Sequence, residues 1–270
     1  MADCQLGCYA TFSGMTAADV ADFAERDMMV EIAPKVTGFA WDASRYETAI
    51  DMANRLHPDF VVLGGDMVDD PDDDDQFLEV QRITASLESP MHWVAGNHDV
   101  ATDGNVPTAA SVAKYRARFG ADHYAFQHRG ATLIVVDTVV WANADEVPDE
   151  WHAQLAFLES ELAAADQRGG PIVVFGHHPL FTRDPYEPDD YWNVPLARRQ
   201  VVLDLMDRHG ASTFFCGHWH RNGGGRHRGV DVVVTGPVGY PLGIDPSGFR
   251  VVDVGPDGVT HHYVALNLSE

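Results

Sequence analysis

Basic side chains are scarce in this sequence. Only two lysines, Lys35 and Lys114, occur in 270 residues, and 18 basic residues stand against 41 acidic ones, a formal net charge of −23. Such a surface repels nucleic-acid backbones and anionic membranes, which excludes both as general partners. The acidic excess reads equally as adaptation to high salt, where screening relieves self-repulsion, or as coding bias. No apolar run approaches the roughly 20 residues that a membrane-crossing helix needs. The N-terminus also lacks the basic start and apolar stretch of a secretory signal. A cytoplasmic protein is expected. Cysteine is sparse too: Cys4, Cys8 and Cys216 form neither a C-x-x-C pair nor a disulfide framework, and read as packing residues. With no repeat, low-complexity linker or composition boundary, residues 1–270 read as one domain.

What is present is an alternation of helical and extended patterns. Asp42 reads as the cap of a helix with Tyr46, Ile50 and Ala53 on its apolar face, ended by His57 and Pro58. Residues 60–63 then read as a buried strand. A helix over 76–87 leads to a strand over 91–94, and a helix over 109–119 to strands over 123–127 and 132–137. A long amphipathic helix follows with Trp151, Leu155, Leu158 and Leu162 on one face, then a strand over 172–175. A helix bearing Val202, Leu205 and Met206 stops at Gly210, before a strand over 212–216. From Val230 onward the tail looks entirely β. This order predicts a layered α/β fold with a large, partly mixed sheet, whose reactive groups gather beyond the strand C-termini.

The polar clusters obey that rule. Strand 60–63 runs into Gly64-Gly65-Asp66-Met67-Val68-Asp69, and strand 91–94 into Gly96-Asn97-His98-Asp99. Strand 172–175 runs into Gly176-His177-His178-Pro179, and strand 212–216 into Gly217-His218-Trp219-His220. A fifth cluster, Asp3-Cys4-Gln5, opens the chain. Carboxylate, amide and imidazole groups are mixed hard and borderline ligands, suited to Zn, Fe, Mn or Co. His218 and His220 point to one side in an extended chain, and the two oxygens of Asp66 allow it to bridge two cations. Any one cluster alone would pass as an ordinary turn; four in this order do not. The acidic run 69–75 lacks the spacing of a calcium loop and reads as solvated, with Asp69 either touching a metal or, the preferred reading, capping its own loop. Tyr186, Tyr191 and Trp192 read either as a roof over the site or as loop anchors.

The set resembles the calcineurin-like metallophosphoesterase pattern of D-x-H, G-D-x-x-D, G-N-H-D/E, H-x-P and G-H-x-H. Gln5 departs from it, standing where most relatives have histidine. Further stretches, 3–7, 217–222, 241–243 and 248–251, resemble a small single-domain subgroup that includes an animal Ser/Thr protein phosphatase acting on protein kinase B. Glutamine also replaces the first-motif histidine there. The resemblance implies a four-layer α/β/β/α sandwich holding two divalent or trivalent metal ions (Mn, Fe or Zn). It implies attack of a metal-bound hydroxide on a phosphomonoester, in a small molecule or a phosphoprotein. Asp3 would bind the first metal with Gln5 near it, and Asp66 would bridge both. Asn97, His177 and His218 would bind the second metal, and His220 would complete the first site. His177 is preferred to His178 because the family places its ligand two residues before the proline. His98 would face the substrate as proton donor or charge stabiliser, with Asp99 orienting its imidazole.

Two rival readings share the fold: a phosphodiesterase acting on cyclic nucleotides or other diesters, and a binding module without turnover. In the family Asp3 would end a core strand, yet only Met1 and Ala2 precede it here. The expectation is that this first core strand is missing, leaving an unfilled slot in the sheet, or that it lies upstream of a late start, the option favoured. Its absence would loosen Asp3.

Overall fold

The computed structural model describes residues 1–101, 106–256 and 258–268. In chain order these form Cys8–Phe12 (α1), Ala17–Glu25 (α2), Ala40–Leu56 (α3), Val61–Leu63 (β1), Asp74–Thr84 (α4), Met91–Trp93 (β2), Asn97–Val100 (α5) and Ala109–Phe119 (α6). Then come Tyr124–His128 (β3), Ala131–Val135 (β4), Thr138–Ala142 (α7), Pro148–Arg168 (α8), Ile172–Phe175 (β5), Leu196–Arg208 (α9), Thr213–Cys216 (β6), Gly223–His227 (β7), Val230–Val234 (β8), Gly248–Gly255 (β9) and Gly258–Ala265 (β10).

The principal sheet has six strands in the order β3-β4-β5-β6-β8-β7. Its four central strands are parallel, and antiparallel β3 and β7 close its edges. Strands covered on both faces read as unbroken apolar runs, and β4 and β6 are buried at every position. Helices α8 and α9 pack against this sheet. Its other face meets Phe60, Val252 and Val259 from a second layer, across a cluster of Ala131, Leu133, Val173, Phe215 and Val233. That second layer consists of parallel β1-β2 and the antiparallel hairpin β9-β10, with α3 and α4 packed together at its side. The architecture is the mixed α/β sandwich expected.

Between β1 and β9 lies a cavity of about 650 Å³, lined by Val61, Leu133, Phe175, Phe215, Phe249 and Val251 among others. Among the described residues no strand is assigned between β1 and β9. Asp3 is nevertheless not loose. Its amide donates to the Gly65 carbonyl at 3.0 Å and its carbonyl accepts from Gly239 N at 2.9 Å, and its side chain is fully buried.

Several local expectations shift. Asp42 does not cap α3, which begins two residues earlier. Its carboxylate instead accepts from the Gly7 and Tyr9 amides at the start of α1. On α8 the buried ridge is Gln154, Leu158, Leu162 and Ala165, with Trp151 and Leu155 only partly covered. Strand β7 begins with Gly223-Gly224-Gly225, which carry no side-chain pattern to announce a strand.

Candidate metal centre

Strand and loop geometry brings the five clusters to one place. Residues 3–6 run beside 65–69, with Gln5 N donating to the Asp66 carbonyl at 2.8 Å and Leu6 N to the Met67 carbonyl at 3.1 Å. The turn after β1 is held by Asp99, whose buried carboxylate accepts from the amides of Asp66 (2.8 Å), Met67 (2.8 Å), Val68 (3.3 Å) and Gly96 (2.9 Å). Gly96 has to lack a side chain, because a Cβ there would fall on the amide and carboxylate of Asp66. A Cβ at Gly217 would likewise collide with the Asp3 carboxylate. Asp3, Gln5, Asp66, His218 and His220 all adopt left-handed backbone conformations, with φ between 34° and 65°. Non-glycine residues there carry strain, which tends to concentrate where function over-determines the backbone.

Two groups of three ligand-type side chains result: Asp66, His177 and His218, and Asp3, Asp66 and His220. Within each group one candidate donor atom per residue lies within 4.8 Å of the others, and Asp66 belongs to both. Backbone carbonyls orient all three imidazoles, His218 through Nε2 on the Tyr191 carbonyl and the other two through Nδ1. His177 Nδ1 lies 2.8 Å from the Gly64 carbonyl and His220 Nδ1 lies 2.6 Å from that of Tyr240. A carbonyl can only accept, so these contacts place the proton on Nδ1 and turn Nε2 inward, the arrangement that suits a metal-binding histidine. His177 Nε2 then faces Asn97 Oδ1 at 3.0 Å and Asp66 Oδ2 at 3.2 Å, and His220 Nε2 faces Asp3 Oδ1 at 3.5 Å. Gln5 Nε2 donates to Asp69 Oδ1 at 3.0 Å, while its buried Oε1 has no hydrogen-bond partner among the described residues. Carboxylate and amide oxygens of Asp3, Asp66 and Asn97 converging with imidazole nitrogens, beside an orphaned amide oxygen, are what a cation site presents. The residues present fit a metal pair.

The electrostatics agree. Burial pushes Asp3 up to about 8, with His177 pulling it down and Asp66 pushing it further up. Burial also acts to raise Asp66, but His177 and His98 beside it outweigh this and hold it well below the usual carboxylate range. Burial disfavours a charged His177, yet Asp66 and Asp3 raise it to about 9. Burial and the neighbouring His177 lower His218 to about 3, and burial lowers His220 to about 4. Among the described residues no lysine or arginine side chain bonds Asp3, Asp66 or Asp99, so His177 serves as the countercharge. A metal ion in its place would displace that proton.

His98 lies at the edge of this centre. Its amide donates to Asp66 Oδ1 at 2.9 Å and its Nδ1 lies 2.8 Å from the Asp69 carbonyl, with the Asp69 carboxylate at 3.7 Å. The expectation was that Asp99 orients this imidazole; the Asp99 carboxylate instead accepts from loop amides, and among the described residues Asp69 is an acidic neighbour of the ring. Nor does Asp69 cap its own loop, since its carboxylate accepts from Gln5 and Thr11. Thr138 was not anticipated; its hydroxyl accepts from the amides of both His177 and His178. No motif marks it, because it acts from α7 across the sheet. His178 stands against His218 with ring centroids 4.3 Å apart. Tyr191 and Trp192 also reach His218, whereas Tyr186 packs on His227.

Comparison with known proteins places this geometry in a family. Residues 40–222 match the model of the calcineurin-like phosphoesterases. The serine/threonine-protein phosphatase CPPED1 of Bos taurus is 36% identical over 234 residues, covering 83% of this chain and 74% of the relative. A protein of Rhodopseudomonas palustris named as a probable cyclic nucleotide phosphodiesterase is 27% identical over 209 residues, covering 75% and 72%. Among solved structures, a dimetal phosphatase from Danio rerio superposes with a TM-score of 0.59 at 15% identity, over 83% of this chain and 90% of its own, a likeness of fold. The chain belongs to the calcineurin-like metallophosphoesterases, hydrolases built around a dinuclear metal centre.

Proposed function

We propose that this protein hydrolyses phosphomonoesters, with Asp3, Gln5, Asp66 and His220 holding one metal ion and Asp66, Asn97, His177 and His218 the other. The observation that carries this reading is the sharing of Asp66 between two buried triads. Carboxylate, amide and imidazole donors suit Mn, Fe or Zn. When bound, the ion pair supplies Lewis acidity to the phosphoryl group and a nucleophile available at neutral pH. The chain's own residues do the rest. Asp99 fixes the loop that presents Asp66, and the Gly64 and Tyr240 carbonyls fix the tautomers of His177 and His220. His98, steadied through Nδ1 by Asp69, donates a proton to the leaving-group oxygen through Nε2. The relatives named as serine/threonine-protein phosphatases support a phosphoprotein substrate.

Replacing Asp66 with Asn removes the only carboxylate of one triad and one of the two in the other. Asp66→Asn is expected to lose bound metal, by elemental analysis, together with turnover of p-nitrophenyl phosphate. A variant that keeps both sinks the reading. The relative named as a probable cyclic nucleotide phosphodiesterase favours diesters as a second reading; a higher rate on bis-p-nitrophenyl phosphate than on the monoester would select it.

A further inference from the structure

Beside Asn97 and His178 opens a cleft of about 250 Å³. Its described lining includes Asp190, Tyr191 and Asn193 from the loop before α9, and Val139, Ala142 and Asn143 on and just after α7. Tyr191 is 47% exposed, with its ring centroid 4.8 Å from that of His218 and its hydroxyl 3.5 Å from Asn97 Nδ2. Its carbonyl lies 3.0 Å from His218 Nε2. One side of the residue is thus tied to the metal centre while the other borders the cleft.

The loop that carries Tyr191 is strongly braced. The Glu187 carboxylate accepts from the amides of Thr182, Arg183 and Asp184 and from Asn193 Nδ2. Asn193 Oδ1 in turn accepts from Asp190 N at 3.1 Å. Beneath them the buried guanidinium of Arg199 donates to the carbonyls of Leu180 and Glu187. An aromatic ring held this way costs little further ordering when a ligand stacks on it.

Resting on the phosphomonoesterase reading, we propose that Tyr191 is the specificity-determining residue of this cleft, stacking against a compact, uncharged and preferably aromatic leaving group. Size argues for it. A cavity of about 150 Å³ holds benzene, whereas drug-sized ligands occupy roughly 300–1,000 Å³. Charge argues for it as well. The described lining includes the acidic Asp190 and no lysine or arginine, so a leaving group bearing further phosphates gains no cationic side chain there.

The test uses unreactive analogues on the metal-loaded protein. Phenylphosphonate and methylphosphonate are titrated calorimetrically into the parent, Tyr191→Phe and Tyr191→Ala, with metal content measured for each. The parent is expected to prefer the phenyl compound, and Tyr191→Phe to keep that preference. Tyr191→Ala should reduce it roughly 3- to 10-fold, the range of an aromatic pair, with metal content unchanged. An unchanged phenyl-over-methyl ratio in Tyr191→Ala overturns the assignment, as does loss of metal, which would make Tyr191 a prop for His218. A parent that binds neither phosphonate and cleaves no monoester would instead overturn the underlying phosphoesterase reading.

Discussion

Asp69 is the residue on which two parts of the centre lean. It holds the amide of Gln5 so that Oε1 turns inward, and it flanks the ring of His98. Groups that orient a ligand without touching the metal typically change affinity 10- to 100-fold when removed. Asp69→Ala is therefore expected to weaken one metal site by that order, read by competition with a chromogenic chelator; equal affinity in variant and parent would free Asp69 of this role. His98 acts on the substrate side. His98→Asn should lower kcat by about 10²- to 10⁴-fold, the usual worth of a positioned acid, with two metals still bound. Full turnover would remove His98 from the reaction.

Among elements, the loops after β1, β2, β5 and β6 do the positioning, and the helices clamp them. One clamp lies away from the centre. Arg116 on α6 makes a two-bond fork with Asp122, at 2.9 Å for each bond, and another with Glu150 on α8. Burial acts to raise Asp122, but the hydrogen bonds from His123 and Arg116 outweigh it and hold the carboxyl at about 2. A depressed carboxylate stabilises the fold fully above its unfolded value of about 3.9, and that contribution is lost as pH falls through the folded value. Acid titration of stability should thus show up to about 2 kcal/mol disappearing between about pH 4 and pH 2, and Asp122→Asn should abolish that segment of the curve. A variant curve parallel to the parent's would contradict the assignment. The elements visible in the sequence were those with a repeating apolar pattern, such as α6 and β5. Helix α2 escaped because it buries no residue fully, and α1 because its five residues, with Cys8 alone buried, are too few to show a period. β7 escaped because its pairing rests on the backbone of β8.

At the scale of the whole molecule, an acidic chain gathers Asp3, Asp66 and Asp99 in its interior with His177 as countercharge. Cations bound there act as folding ligands, and a ligand at 100 times its Kd stabilises the native state by about 2.7 kcal/mol. Chelation should lower Tm in calorimetry, and restoring Mn or Zn should recover it. An unaltered Tm would mean that the ions contribute nothing to folding. The cavity between β1 and β9 is the other feature of this scale. It separates two short sheets that face the same six-stranded layer, while the backbone bonds of residues 1–6 keep Asp3 in place above it.

Local chemistry in the sequence determined which donors exist and that they follow strands: glycine turns, apolar runs and the order of Asp66, Asn97, His177, His218 and His220 can all be read along the chain. Tertiary structure alone decided their pairings. Asp99 went to the amides of the β1 loop, Asp69 to Gln5 and His98, Thr138 to the two histidine amides, and Tyr191 to the cleft beside Asn97. The reason is physical. Periodicity and turn chemistry act over a few residues, whereas those pairings depend on strand order and on how a sheet brings together side chains far apart in the chain.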